Sequence, residues 1–200
     1  MKKEKQMTVP PGTDASFDLP RDWKSLPWKD LQQQVRRLQV RIAKAIKDGN
    51  RRKASTWQWL LTHSRAAKLL AVRRVTTSQG AKTPGVDNII WRTDKQKLRA
   101  ADNLKRHGYK PQPLRRTYIP KKNGKLRPLS IPTMHDRAMQ ALHALALTPV
   151  AETLAAPNSY GLREGRSCAD ALQHVFLVLA RKCSPQWASP KKSSSANSTP

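Results

Sequence analysis

One hundred consecutive residues, 31–130, carry 26 lysine and arginine side chains and only four acidic ones, an imbalance that restricts how the chain can fold. Repulsion among so many like charges opposes a compact state, and folding itself does not need them. A polyanionic partner would offset the repulsion. The whole chain of 200 residues has a net charge of +26, which is the electrostatic footprint expected of a protein that binds nucleic acid.

The remaining composition argues against several other classes of function. The two cysteines, Cys168 and Cys183, are too few for a disulfide framework, and the five histidines show no spacing typical of a metal site. No apolar run of about 18 residues is present, so the sequence predicts no membrane span. The basic N-terminus lacks the apolar segment of a secretory signal. We therefore expect no metal and no cofactor in this chain, no membrane partner and a cytoplasmic location.

An apolar stripe in the first third of the chain predicts a long helix from Ser25 or Leu26 to about Lys47. The members of the stripe recur at intervals of three or four residues: Leu31, Val35, Leu38, Ile42 and Ile46. Four cations fall on other faces of this helix and are candidate RNA-binding residues: Arg36, Arg37, Arg41 and Lys44.

The rest of the chain predicts an α+β fold that is mostly α. Further helices are expected over 51–75, from Thr93 or Asp94 to His107, over 134–147 just before Pro149, and from Ser167 or Ala169 to Ala180. The segments 115–119 and 125–131 predict the two strands of a hairpin, because Asn123-Gly124 between them is a strong tight-turn pair. For Trp57 and Trp59 we favour packing in the core over stacking on bases.

Three segments carry motifs whose order and spacing are more informative than any one of them alone. They are Ser78–Asn88 (SQGAKTPGVDN), Tyr118–Pro132 (YIPKKNGKLRPLSIP) and Ser159–Leu172 (SYGLREGRSCADAL). Together they resemble the N-terminal extension and the fingers of bacterial group II intron reverse transcriptases with maturase function. Residues 23–91 are similar to the N-terminal domain that precedes the polymerase in that family, and the whole resemblance covers residues 23–187.

The resemblance identifies the basic hairpin as the fingertip that folds over the incoming nucleotide. Lys121 and Arg127 match the family positions that contact the phosphates of that nucleotide, and lysine and arginine donors suit anionic oxygens. Lys122 and Lys125 have no such match. The alternative interpretation is a generic basic β-ribbon that lies on RNA.

The segment Ser78–Asn88 resembles the family loop that lies over template and primer. The resemblance implies that Gln79, Gly80 and Gly85 contact nucleic acid, since glycine lets a backbone approach a strand closely. An ordinary linker between two helices is the alternative interpretation.

In the third motif, Arg163 and Arg166 match the two arginines of the family, which suit either the template backbone or the loop itself. Leu162 stands where the family usually has Phe, and Glu164 stands where Pro is frequent. These departures are small, and we keep both arginines as candidate template-binding residues.

The resemblance divides the chain into four parts. We expect a disordered leader over 1–22, a helical reverse transcriptase N-terminal domain over 23–110, and partial fingers with the start of the palm over 111–187. Residues 188–200 have no apolar pattern and are expected to be a disordered tail outside the family, left by a frameshift or early stop. The apolar side chains of the last helix, around Leu172 and Phe176, would then lack the palm surface that covers them.

The resemblance also implies what this stretch of sequence leaves out. The intact enzyme is an RNA-directed DNA polymerase that binds its intron RNA, and its carboxylates hold two Mg²⁺ ions. No Tyr-x-Asp-Asp turn occurs here, and no acidic residue follows Asp170. We therefore expect RNA, template or intron, as the main partner, with DNA and a separate chain carrying the palm as further candidates. A free-standing basic RNA-binding protein is the alternative; a DNA-binding regulator lacks a helix-turn-helix pattern.

The missing carboxylates generate the first prediction. The purified chain should not extend a primer on an RNA template in the presence of Mg²⁺ and all four nucleotides, because the two-metal mechanism has no ligands. Primer extension resolved on a denaturing gel measures this directly. Template-dependent extension that follows the protein through purification would contradict it.

Overall fold

The computed structural model describes residues 22–161 and 163–180, so the predicted tail and nearly all of the predicted leader lie outside the described residues. The described helices are α1 Trp28–Lys47, α2 Arg51–His63, α3 Arg65–Thr77, α4 Asp94–Asn103, α5 Met134–Leu154 and α6 Cys168–Ala180, and Gln79–Lys82 forms one 3-10 turn. Strands β1 Arg115–Pro120 and β2 Leu126–Ile131 form an antiparallel hairpin. The mostly α, α+β prediction is confirmed.

The chain divides after Thr153 into two compact units. In the first unit, helices α1 to α5 share one apolar core, whose largest fully buried side chains include Ile42, Leu61, Leu69, Leu104 and Met139. The stripe of α1 faces this core as expected, and α5 packs in the same cluster as the N-terminal helices. Packing therefore runs without a break across residue 110, where the motifs placed the end of the N-terminal domain.

A serine divides the long helix that the sequence predicted over 51–75, and that prediction is wrong at this point. Ser64 has an extended ψ of 135°, so α2 ends at His63 and α3 begins at Arg65. The Ser64 hydroxyl donates to the Leu61 carbonyl at 2.8 Å and accepts from the Ala67 N–H at 3.2 Å. One side chain thus satisfies groups at both helix ends, which is why serine competes with a continuous helix.

Helix α5 continues through Pro149 to Leu154, although the sequence predicted that it ends before the proline. Proline has no N–H, so the Leu145 carbonyl four residues earlier loses its partner inside the helix. Gln39 of α1 donates its side-chain amide to that carbonyl at 2.9 Å, and Gln58 of α2 donates to the Ala146 carbonyl at 3.1 Å. Two neighbouring helices therefore supply hydrogen bonds at the point where the proline weakens α5.

The two tryptophans of α2 differ in their surroundings. Trp57 packs half-buried against the core, as predicted, and the guanidinium of Arg41 lies 4.7 Å from its ring centroid. Trp59 is 51% exposed and stacks on His63 with ring centroids 4.2 Å apart, so the prediction that it packs in the core is wrong.

The second unit contains α6, which has no buried residue. Its apolar side chains are strongly exposed; Leu172, Phe176 and Leu179 are exposed by 66%, 69% and 78%. Among the residues with described structure, no helix is both long enough and apolar enough to cross a membrane.

The junction at Ser64 provides a test of this fold. Ser64→Ala removes the N-cap of α3 and should lower the free energy of unfolding by about 1 kcal/mol. Chemical denaturation followed by circular dichroism measures the change. Ser64→Thr keeps the hydroxyl and should retain most of the stability. An alanine variant as stable as the parent would show that the two helix ends do not depend on this side chain.

Candidate nucleic-acid interface

The hairpin forms around the glycine that the sequence singled out. Lys121 donates its N–H to the Lys125 carbonyl at 2.8 Å, and Gly124 donates to the Lys121 carbonyl at 3.0 Å. Gly124 has a φ of +74°, a left-handed conformation that favours glycine. The predicted turn at Asn123-Gly124 is confirmed.

The strand register places the two predicted phosphate-binding residues on one face of the hairpin. Arg127 lies opposite Ile119, and alternation along β1 puts Lys121 on the same side as Ile119. Lys125, which pairs with Lys121 at the tip, shares this side. Arg116 pairs with Ser130 and belongs to the other face. We refer to Lys121, Lys125 and Arg127 as the tip cations.

Both faces of the hairpin are open to solvent. Every residue from Arg115 to Ser130 is exposed, and Ile131 is half-buried where the chain enters α5. An isolated two-stranded hairpin is only marginally stable, because it has no apolar surface to cover. The geometry therefore suits a partner that lies against the hairpin, and the tip cations favour an anionic one.

The loop Ser78–Asn88 is fastened to the start of α5 by one arginine. The Arg137 guanidinium donates to the carbonyls of Gly80 at 2.7 Å, Thr83 at 2.5 Å and Pro132 at 3.0 Å. Pro132 directly follows β2, so Arg137 joins the loop to the base of the hairpin. Two of the three sequence elements expected to meet nucleic acid are thus held to each other within the first unit.

Gly85 secures the same loop by close packing. A Cβ built at this position would lie 2.6 Å from the Thr133 Cα and 2.8 Å from the Thr133 N, both backbone atoms that cannot easily move. Gly85 is buried, and its lack of a side chain serves packing within the chain. Gln79 and Gly80 are exposed beside it. Contacts of these three residues with template stay predictions.

A buried carboxylate holds the other end of the hairpin. Asp136 accepts hydrogen bonds from the Tyr109 hydroxyl at 2.5 Å, the Thr133 hydroxyl at 2.7 Å and the Gln112 N–H at 3.3 Å. Burial alone would raise the pKa of Asp136, but these hydrogen bonds and the nearby His135 lower it. Burial and the carboxylate raise the pKa of Tyr109 to about 12. The ionised Asp136 thus ties the segment before β1 to the helix after β2.

The outer face of α1 is the second basic surface of this unit. Arg36, Arg37, Arg41 and Lys44 are all exposed, as predicted for cations on the side away from the core. Arg37, Arg41 and Lys44 follow one another at intervals of four and three residues, and Arg36 precedes the exposed Val40 by four, so the cations cover one broad side of the helix. A shallow groove of about 430 Å³ runs among the three arginines.

The two arginines of the third motif belong to the second unit. Arg166 donates to the carbonyls of Pro157 at 2.7 Å and Ser159 at 2.6 Å, and its guanidinium lies 5.8 Å from the Tyr160 ring centroid. The resemblance implied either contact with the template backbone or stabilisation of the loop itself, and the geometry of Arg166 matches stabilisation of the loop. Arg163 is half-buried. A contact of either residue with template stays a prediction.

Sequence reasoning missed the residues that organise the interface. Asp136 follows Thr133 at the spacing of a helix-capping pair, and the Thr133 hydroxyl indeed accepts from the Asp136 N–H at 3.1 Å. That spacing could have marked Asp136 as a structural group. No local signal marks Arg137, because two of its three partners, Gly80 and Thr83, lie more than fifty residues away in the loop.

The described residues offer no site for the Mg²⁺ that the resemblance attaches to the intact enzymes. Within 22–161 and 163–180, no group of three or more His, Cys, Asp or Glu side chains is placed to hold a metal ion. Asp136 is engaged by three donors, and Asp94 pairs with Lys97. The described residues therefore do not fit the metal.

Comparison with known protein families decides what this arrangement belongs to. A family model described as the N-terminal domain of reverse transcriptase matches residues 23–104. A second, described as reverse transcriptase (RNA-dependent DNA polymerase), matches residues 119–193, which include the end of β1, the hairpin turn, β2, α5 and α6. The chain belongs to the group II intron reverse transcriptase and maturase family. The second match runs past Trp187, where the motifs placed the end of the resemblance.

Individual relatives agree with this assignment. Protein YkfC of Escherichia coli K12 is 38% identical over 64% of this chain and 38% of its own length. The group II intron-encoded protein LtrA of Lactococcus lactis subsp. cremoris is 35% identical over 53% of this chain and 18% of its own length. Maturase-like protein 1 of Euglena gracilis is 28% identical over 76% of this chain and 34% of its own length. The chain thus spans less than two-fifths of each of these relatives.

The two glycines of the loop give a matched pair of variants. Gly85→Ala places a Cβ against the Thr133 backbone, and we expect a loss of roughly 1–3 kcal/mol in the free energy of unfolding, as for other overpacked sites. Gly80→Ala meets only an Arg137 side-chain nitrogen at 3.6 Å and should change stability little. Denaturant unfolding of the two variants measures the difference. Equal stabilities would show that the loop is not packed against Thr133.

Proposed function

We propose that this chain is the RNA-binding, template-side portion of a group II intron reverse transcriptase, acting in the cytoplasm. The exposed hairpin with its tip cations carries the proposal. No acidic residue occurs between Asp102 and Asp136, so the whole hairpin and its approaches are positive or neutral. A marginal two-stranded ribbon with this charge is best stabilised by a polyanion along it.

A second surface supports RNA rather than a small anion as the partner. The outer face of α1 adds four exposed cations along about two turns of helix. Phosphates of a nucleic-acid backbone recur along an extended line, so several surface cations can each meet one. Intron or template RNA is the partner we infer, with DNA as a weaker candidate. Membership of the family supports this choice.

Within this proposal, the hairpin has a second task in the presence of a palm. Lys121 and Arg127 would grip the phosphates of an incoming nucleotide as the fingertip closes. DNA synthesis is proposed only for an assembly in which a longer protein or a separate chain supplies the metal-binding carboxylates. The portion in hand contributes RNA binding and part of the nucleotide grip.

The α1 surface gives a test of RNA binding by charge. Affinity for a structured RNA should fall steeply with salt, with a log–log slope close to the number of phosphates contacted. Neutralising the four cations as R36Q/R37Q/R41Q/K44Q should reduce that slope by about three. Fluorescence anisotropy titrations at several salt concentrations measure it.

The control for that test keeps the charge and changes the side chains. R36K/R37K/R41K should show nearly the parental slope, because each lysine still meets a phosphate. Binding that does not change with salt would contradict RNA recognition by the basic surfaces. A normal slope in the glutamine variant would show that RNA lies elsewhere on the chain.

The hairpin gives a test that separates its two faces. K121Q/R127Q removes two cations from one face and should abolish most of the binding of a nucleoside triphosphate, measured by competition with a fluorescent analogue. R116Q/K122Q removes the same charge, one from the opposite face and one from the turn, and should retain it. If both variants lose binding equally, the hairpin acts as a general basic ribbon and not as a nucleotide grip.

A further inference from the structure

A cleft of about 850 Å³ lies between the end of α3, the 3-10 turn and the segment 90–92. Its volume falls in the range of roughly 300–1,000 Å³ that is typical of ligand sites. Three kinds of residue line it: the cationic Lys82 and Arg92, the aromatic Trp91, and the hydroxyl-bearing Thr76, Thr77 and Ser78. All of these belong to the first unit.

The cations of the cleft are available to an anion. Lys97 also lines the cleft, but its ammonium group is paired with Asp94 at 3.1 Å. Lys82 and Arg92 enter no side-chain hydrogen bond or ion pair with any residue that the structure describes. No carboxylate lines the cleft, so these two side chains leave it with a net positive charge.

The hydroxyls contribute the opposite kind of group. Thr76 and Thr77 donate their protons to the carbonyls of Val72 and Arg73, and Ser78 donates to Val75. Each hydroxyl proton is therefore already used within the chain, so toward a ligand these oxygens can act only as acceptors. Inorganic phosphate alone has little use for such acceptors. The amino groups of a base or the hydroxyls of a ribose can donate to them.

Trp91 supplies a surface for a ring. Its indole is half-buried and packed against the core on one side, while it also lines the cleft. A tryptophan fixed in this way can stack on a base without first losing side-chain freedom. The cleft thus combines three features of a nucleotide site. Its cations suit a phosphate, its acceptor groups suit a sugar or the edge of a base, and its aromatic surface suits the ring of a base.

The loop wall of the cleft is formed before any ligand binds. Arg137 holds the carbonyls of Gly80 and Thr83, which flank the wall residues Ala81 and Lys82. Ala81 also donates its N–H to the Ser78 carbonyl at 3.0 Å. Binding therefore does not require this wall to become ordered, a cost that weakens many sites on loops.

We propose that this cleft receives one unpaired nucleotide of a bound RNA strand, with its base on Trp91 and its phosphate at Lys82 and Arg92. The proposal rests on the RNA binding proposed above and assigns it a specific preference. A nucleotide inside a duplex cannot enter, because its base is stacked and paired. The cleft therefore favours RNA that carries single-stranded residues next to the bound region.

The experiment compares three RNAs on the full chain at one salt concentration. The first is a blunt hairpin, the second is the same hairpin with a short uridine overhang, and the third has an overhang of abasic nucleotides with the same phosphates. The parent protein should bind the uridine overhang about tenfold more tightly than the blunt hairpin, as expected for one stacked base. The abasic overhang should lose most of this gain.

Two exposed double variants locate the preference. K82Q/R92Q should reduce the preference for the uridine overhang to about threefold, because the stacked base remains on Trp91 while the phosphate beside it is no longer held. K95Q/K105Q removes the same charge from exposed positions that do not line the cleft and should keep the preference, although all RNAs bind somewhat more weakly. An undiminished preference in K82Q/R92Q would overturn the proposal.

Two further outcomes also decide the matter. Equal affinity for abasic and uridine overhangs would show that no base is recognised, and failure of excess uridine monophosphate to weaken binding of the uridine overhang would show that no single nucleotide is held; either result overturns the proposal. If none of the three RNAs binds, RNA binding by the chain is itself refuted and this inference falls with it. Binding without preference refutes the cleft alone.

Discussion

Two adjacent side chains at the start of α5, Asp136 and Arg137, connect the hairpin to the loop after α3, the two elements of this unit that we propose to meet RNA. A carboxylate buried this deeply is tolerated only when donors surround it, and Tyr109, Gln112 and Thr133 provide them. The neighbouring Arg137 donates three hydrogen bonds from its guanidinium to backbone carbonyls, two of them in the loop after α3. The approach to β1, the exit from β2 and the loop after α3 therefore meet at one turn of helix.

This junction allows a strongly charged chain to keep an ordered surface. The apolar core is formed by stripes of α1 to α5, and it contains no lysine or arginine. The hairpin is outside that core and has no packing of its own along its length. Only its two ends are fixed, and both are fixed by hydrogen bonds to α5. Its cations can consequently stay exposed for a partner while the base of the hairpin holds its position.

Local patterns in the sequence were sufficient for the elements that depend on local rules. The stripe of α1 and the Asn123-Gly124 turn were found because a helix repeats every 3.6 residues and a left-handed turn position prefers glycine. The break at Ser64 was missed because the apolar spacing continues across it, and helix propensity cannot show which hydrogen bonds a serine will choose.

The candidate site was predictable to a similar degree. Lys121 and Arg127 were identified through a motif, and the register then placed them on one face. The cleft beside Trp91 could not be identified, since its walls come from the end of α3, the 3-10 turn and the segment 90–92. Arg137 was missed for the same reason. Its role depends on a packing of distant segments that no periodicity in the sequence encodes.

The proline in α5 has an evolutionary consequence. Pro149 leaves the Leu145 carbonyl to be satisfied by Gln39, a residue on the far side of the point where one family segment ends and the next begins. A chimera that joined this second segment to the first segment of another relative would contain Pro149, but it would contain a glutamine at position 39 only if that relative had one. Positions 39 and 149 should therefore change together over time, and the two segments behave as one heritable module rather than as exchangeable parts.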